Sequence, residues 1–403
     1  MDEVVEKLKK AYALTPQEAL AEIFPVKRAL YIGIPKETEF QEKRIALTPN
    51  SVAALTNLGH KIVIQAGAGL ASNFEDQEYT QAGAQLVSSD EEIFRSEIII
   101  KTAPIVDSDL KKFNKGQTVL SPILLPILNK NILKSLTQLK ITALAYDYIK
   151  TNESYFPYID SMGVIAGSYA ILLAGKYLSN EYGKGILLGG IAGQPPCKVL
   201  IIGATHVGLA AAQSAIGLGA QVQMFDDNIE MLNHAKIMLG NNLYTSVFDP
   251  LNLKKNIARA DVVIGALNHK NGQTMHVISD SMVAVMKKGA IIIDTSIDYG
   301  GCFETSQVTT LDNPTYLVHG VIHYCVPNIT SEVSRTASYA LSNLLSPILR
   351  KSGQHGGIEQ TIKVDTFLRN GVYLYKGSIT KDFIAQKFDL KYTNLELLMA
   401  TEF

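Results

Sequence analysis

KVLIIGATHVGLAAAQSAIGLGAQVQMFDD, Lys198 to Asp227, decides the fold. It reads as strand, tight glycine turn, helix, strand and acid. Lys198 to Ile202 is a short apolar run of the kind buried on both faces of a sheet. Gly203 lets the chain turn sharply off that strand. Leu209 to Leu218 is rich in helix formers, and Gly217 and Gly219 end the helix. Gln221 to Phe225 is a second apolar strand with Asp226 and Asp227 at its tip.

This order of elements is the one used to bind a dinucleotide. The helix start directs free N–H groups and a positive dipole end at a pyrophosphate. Gly208 lets the helix lie close to the sheet, and an acid roughly 20 residues after the turn accepts hydrogen bonds from a ribose. Asp226 holds that place. With Asp227 beside it and no arginine nearby, a 2′-phosphate is repelled, so the expected cofactor is NAD, not NADP. The expected contacts are Gly203, Thr205, His206, Val207, Gly208 and Asp226. Thr205 stands where the middle glycine of G-x-G-x-x-G belongs. Its hydroxyl either bonds a phosphate or holds it off. A domain that kept the turn and lost the ligand is the alternative.

The chain has 403 residues, enough for two domains, with 47% apolar and 19% charged residues. Its formal net charge of −1 points to no nucleic-acid or membrane electrostatics. Cys197, Cys302 and Cys325 form no C-x-x-C pair and no zinc set. They read as reduced, buried thiols in a cytoplasmic protein. No signal peptide is evident, and apolar runs such as Val119 to Leu128 are too short and proline-broken to span a bilayer.

Residues 1–28 read as a helical extension, with a capping-box start at Thr15-Pro16-Gln17-Glu18. From Ala29 strands and helices alternate, giving a first α/β domain over 29–160. Ser161 to Ser179 is long, apolar and small-residue rich, suited to a helix bridging two domains. Ile186 to Gly190 reads as a hairpin arm. The second domain covers 161–338. Tyr339 to Lys351 reads as a second bridging helix, and the segment 339–403, with a helical tail, returns to the first domain. The expected architecture is α/β, with two Rossmann-like doubly wound domains separated by a cleft and the first domain discontinuous.

Five stretches together resemble the alanine dehydrogenase family, which includes the N-terminal region of the nicotinamide nucleotide transhydrogenase alpha chain. They are IGIPKETEFQEKRIALTP (Ile32 to Pro49), GHKIVIQAGAGLASNFEDQEYTQAGAQLV (Gly59 to Val87), the Lys198 to Asp227 unit, KKGAIIIDTSIDYGGCFET (Lys287 to Thr305) and PTYLVHGVIHYCVPNITSEVSRTASYALSN (Pro314 to Asn343). The resemblance runs from about residue 30 to the end and is closest to alanine dehydrogenase. It implies conversion of L-alanine, NAD and water to pyruvate, ammonium and NADH. Such chemistry needs a cation for the substrate carboxylate, an acid/base for the proton and an acid near the nicotinamide. The resemblance gives Arg44, in EKRIALTP, as the carboxylate-binding arginine, a fork able to grip bidentately. It gives Asp298, in SIDYGG, as the active-site aspartate, and Asn328, in VPNI, as the asparagine against the nicotinamide. The plainer readings are a surface arginine for Arg44 and a turn acid for Asp298.

The departures lie on the substrate side. The family's K-V-K-E-P is shortened to Lys101-Thr102-Ala103-Pro104, so its second lysine is lost and Lys101 is the remaining candidate. The family's Y-L-H-L, with the catalytic histidine, is replaced by Ser121-Pro-Ile-Leu-Leu-Pro126. The glutamate of the family's M-S-E-V-A-G-R is absent from Ser161 to Ser168. Among other histidines, His206 lies in the phosphate loop, His269 near the expected nicotinamide edge, and His319 and His323 flank a strand as structural residues. Three functions follow: an NAD-dependent amino-acid dehydrogenase; a weak or inactive nucleotide-binding paralogue; or a dehydrogenase for another substrate, its pocket made apolar by Pro122, Leu124 and Leu125. The expected partner is a small carboxylate or amino acid, with no nucleic acid or membrane, in a homo-oligomer.

Overall fold

A computed structural model describes residues 27–151, 155–268 and 274–400. The helices expected within the first 26 residues and the histidine at position 269 lie outside the described residues.

Two sheets organise the chain. The first runs β15-β14-β6-β5-β4-β1-β2-β3 and the second β12-β13-β11-β10-β7-β8-β9. In the first, β1 (Tyr31–Ile34), β2 (Lys61–Gln65), β3 (Gln85–Val87), β4 (Ile98–Ile100), β5 (Thr118–Ser121) and β6 (Thr142–Ala145) are all parallel. Ile98, Ile99 and Ile100 are all buried, because helices cover both faces of a parallel sheet. In the second, β7 (Lys198–Ile202), β8 (Gln221–Phe225), β9 (Leu243–Ser246), β10 (Val262–Gly265), β11 (Ile291–Asp294) and β13 (Val321–Tyr324) are parallel, and β12 (Thr315–Val318) pairs antiparallel at the edge. This is the α/β architecture with two doubly wound sheets expected from the sequence.

Both sheets reverse their winding once. The second does so between β7 and β10, the first between β1 and β4. Ligands of open α/β sheets bind outside the carboxyl ends of the strands at such a switch point. Each domain thus brings one switch point to the cleft.

Helices α1 (Pro49–Thr56), α2 (Asp76–Gln81) and α3 (Lys130–Gln138) cover the first sheet; α4 (Pro157–Leu178), α5 (His206–Gly217) and α6 (Ser334–Gln354) set the site. The domain boundaries expected at residues 161 and 339 fall inside α4 and α6. Helix α4 is by length and composition able to cross a membrane, which the sequence runs did not suggest. Its small residues instead pack on the second domain: a Cβ at Gly167 would strike the Val207 carbonyl, so α4 and the start of α5 lie in backbone contact.

Two local readings change. Ile186 to Gly190 forms no strand, and only an isolated bridge joins Ile191 and Gln194. The tail is not wholly helical: β14 (Val372–Tyr375) adds antiparallel to β6, and β15 (Ser378–Ile379) pairs with it. All four residues of β14 are buried. Such a run is ambiguous between strand and helix until a sheet edge is present to receive it.

Candidate active site

The glycine turn sits at the switch point of the second sheet. Gly203 has φ +114°, and a Cβ there would collide with the Ala266 carbonyl at the end of β10. Gly208 is equally constrained, since a Cβ would meet the Gly203 carbonyl. Thr205 is the N-cap of α5. Its hydroxyl donates to the Ala266 carbonyl at 2.8 Å and accepts from the Gly208 amide at 3.3 Å. The hydroxyl proton is therefore committed to the protein in this arrangement. The amides at the start of α5 have no intrahelical acceptors. Such amides are the donors that a helix start offers a pyrophosphate.

His206, the first residue of α5, places Nδ1 2.7 Å from the Asp160 carboxylate. Asp160 is buried on α4, and its other oxygen accepts from the Phe156 amide at 3.0 Å. Burial raises its pKa, with His206 pulling the other way. The α4–α5 contact at Gly167 makes this pair possible.

Asp226 ends β8 half-buried, with Asp227 exposed beside it. One Asp226 oxygen accepts from the Ala204 amide at 2.7 Å, the other from the Asn228 amide at 2.8 Å. Asp226 thus braces the glycine turn from the neighbouring strand. Each oxygen keeps a lone pair for a ribose hydroxyl.

On the other wall Arg44 is buried, not a surface arginine. Its Nε and Nη2 donate to Glu42 at 2.8 and 2.6 Å. Its Nη1 faces the Tyr158 hydroxyl at 3.2 Å, Met162 Sδ at 3.4 Å and Thr330 Oγ1 at 3.0 Å. The bidentate edge expected to grip a substrate is held by Glu42, and Nη1 is the edge left toward other groups. Burial pushes the Glu42 carboxyl up, but Arg44 outweighs it and holds it below its ordinary value.

Asn328 gathers the two walls. It sits at φ +54° in the left-handed region, where asparagine is among the few tolerated residues. Its amide N–H donates to Asp298 Oδ1 at 3.2 Å, and its side chain donates to Glu42 Oε2 at 2.9 Å and Ser331 Oγ at 2.8 Å. Asp298 lies on the turn Ile297–Tyr299 beyond β11. Burial lifts its carboxyl to about 6 against the pull of the Asn328 amide and Arg44. Arg44, Asp298 and Asn328 are thus brought together, although 284 residues separate the first and last in sequence (328 − 44).

Lys101 is brought to the first sheet's switch point but is not free there. Its Nζ lies 2.9 Å from Glu37 and 3.3 Å from Asp109, with the side chain buried. Glu37 also accepts from the Thr102 and Ala103 amides at 2.6 and 3.1 Å. Burial alone lowers a lysine's pKa; the two carboxylates outweigh it here, so the ammonium stays protonated. Its ion pairs thus run to Glu37 and Asp109. Leu124 is half-buried and Leu125 buried beyond β5. His323 is fully buried on Thr305 and the Val321 carbonyl, and His319 bonds Asp280 at 2.9 Å, both structural. The three cysteines are free and buried. Among the described residues no cluster suited to a metal occurs.

Sequence reasoning missed Glu42, Tyr158, Thr330, Glu37 and Asp147. Only Glu42 left a signal: an acid two residues before an arginine in a loop can fold back on it.

The family model "Alanine dehydrogenase/PNT, N-terminal domain" matches residues 33–166, and "Alanine dehydrogenase/PNT, C-terminal domain" matches 170–382. Alanine dehydrogenase of Methanococcus maripaludis is 36% identical over 91% of this chain and 99% of its own length. That of Mycolicibacterium smegmatis is 34% identical over 92% and 100%. An L-alanine dehydrogenase structure superposes with a TM-score of 0.83 at 33% identity, covering 88% of this chain and 98% of that one. A transhydrogenase from Sinorhizobium meliloti shares the fold, with a TM-score of 0.74 at 22% identity over 87% and 99%. With both domains matched and relatives aligned over nearly their whole length, the chain belongs to the alanine dehydrogenase/PNT family.

Proposed function

We propose that the chain is an NAD-linked oxidoreductase of small amino and 2-oxo acids, acting in the direction L-alanine, NAD and water to pyruvate, ammonium and NADH. The observation that carries this reading is Asn328, which hydrogen-bonds Asp298 on one domain and the Glu42–Arg44 pair on the other. The residues expected around nicotinamide and substrate thereby converge on one cleft. Bound NAD supplies the hydride acceptor. Gly203, the amides at the start of α5 and Asp226 would hold it, and Asp226 with exposed Asp227 disfavours a 2′-phosphate. We further expect a homo-oligomer in a reducing, cytoplasmic setting, in keeping with the buried thiols.

A second reading is a nucleotide-binding paralogue with weak catalysis. Lys101 locked by Glu37 and Asp109, and Leu124 in place of the family histidine, favour it. The test is NADH binding by calorimetry, then NADH absorbance with NAD and a panel of amino acids. Binding with turnover of alanine or a close analogue supports the dehydrogenase. Binding without turnover supports the paralogue, and no NADH binding removes both.

A further inference from the structure

Asp147 is a buried carboxyl that none of the chemistry above uses. It is the middle residue of the turn Tyr146–Tyr148 that ends β6. β6 lies parallel to β5, so the two strands end at the same edge of the sheet, next to the stretch Ser121 to Pro126 that stands where the family histidine is expected. Both Asp147 oxygens face one donor, the Ile123 amide, at 3.2 and 3.1 Å. Ile123 is the immediate neighbour of Leu124. Among the described residues no charged group pairs with this buried carboxyl, and burying a charge without a partner is costly.

Burial pushes this carboxyl up to about 7, and only backbone N–H groups, of Ile123 and of Asp147 itself, pull the other way. The titratable groups that feel its charge are Tyr146, Tyr148, Tyr158, Tyr299 and Tyr373. Geometry ties it to the arginine: the ring of its neighbour Tyr146 packs on Tyr158 with centroids 4.9 Å apart, and the Tyr158 hydroxyl lies 3.2 Å from Arg44 Nη1. Asp147 therefore sits one aromatic pair away from the Arg44 guanidinium.

We propose that Asp147 is the proton carrier of this chain, in the place the family gives to histidine. This rests on the dehydrogenase reading. Bound NAD would take the hydride from Cα of the amine substrate, which would leave an iminium. Water adds to the iminium carbon and loses a proton to the Asp147 carboxylate. Asp147 returns that proton to nitrogen, the carbon–nitrogen bond breaks, and the hydroxyl proton leaves with ammonia as ammonium. A general acid/base works best when its pKa lies near the operating pH.

The test compares Asp147→Asn with the unmodified protein, because the asparagine oxygen still accepts from the Ile123 amide. The expected result is a loss of about 100-fold or more in kcat/KM for alanine oxidation, with NADH affinity within about twofold. The wild-type to variant ratio should rise with pH and level off above about 7, since ionisation of the substrate amine cancels in the ratio. The unmodified protein labelled with ¹³C-aspartate should also show a carboxyl resonance titrating near 7 without substrate. A variant within about tenfold of wild type at every pH, or a carboxyl resonance titrating near 7 that persists in Asp147→Asn, overturns the proposal alone. NADH binding with no turnover of any amino acid by the unmodified protein overturns the dehydrogenase reading and this role with it.

Discussion

Glu42 grips Arg44 from two residues away, through contacts of 2.8 Å to Nε and 2.6 Å to Nη2, with both side chains buried. Asn328 and Ser331 of the other domain also donate to that carboxylate, at 2.9 Å each. The pair is the knot between the domains, since its hydrogen bonds span the cleft. Removing one partner leaves a buried charge uncompensated, which costs about 3–5 kcal/mol. Arg44→Ala should destabilise by that order in urea unfolding. The double variant Glu42→Gln with Arg44→Met should be less destabilised than Arg44→Ala. Equal losses would show that the pair is not coupled.

Thr205 caps α5 and ties it to Ala266. Thr205→Ser keeps both hydrogen bonds, so NADH affinity should stay within about twofold. Thr205→Val removes the hydroxyl and should lower stability by about 0.5–2 kcal/mol. Thermal melts with NADH calorimetry separate the two effects. A large loss of NADH affinity in Thr205→Val that is absent from Thr205→Ser would return the hydroxyl to the phosphate.

Asp226 has two tasks, bracing the turn and meeting the ribose. Asp226→Ala should weaken NADH binding by about 1.5–3 kcal/mol, the range for a hydrogen bond to a charged group. It should also lower the melting temperature without ligand, because the Ala204 and Asn228 amides lose their acceptor. Weaker binding with an unchanged melt would confine Asp226 to the ligand.

Asp147 also sets a pH dependence of stability. Its folded pKa of about 7 lies above the ordinary value of 3.8, so between these the folded state binds more protons. Its contribution is favourable at low pH and is lost as pH rises through about 7. Asp298 does the same over a lower window ending at about 6. Asp147→Asn cannot ionise. Its stability relative to wild type should therefore be greater at pH about 8 than at about 5, read from melting temperatures at both. A difference independent of pH would mean that Asp147 stays ionised in the fold.

The sequence by itself determined the two α/β domains, the glycine turn and its acid, because these rest on local rules. Apolar runs of four or five residues, glycine where φ must be positive, and an acid at a strand tip are read within thirty residues, from Lys198 to Asp227. It also singled out Arg44, Asp298 and Asn328, which the fold brings together. What only the tertiary structure decided is how those groups are spent. Lys101 is ion-paired because β1 and β4 are neighbours, which brings Glu37 beside it from 64 residues away. Arg44 is filled because burial makes an unpaired guanidinium costly and Glu42 is the nearest anion. The Asp147 carboxyl is pushed up because burial is met there only by backbone N–H groups among the described residues. Charge partnership and desolvation are set by neighbours in space, and strand order in a doubly wound sheet makes neighbours of residues far apart in sequence.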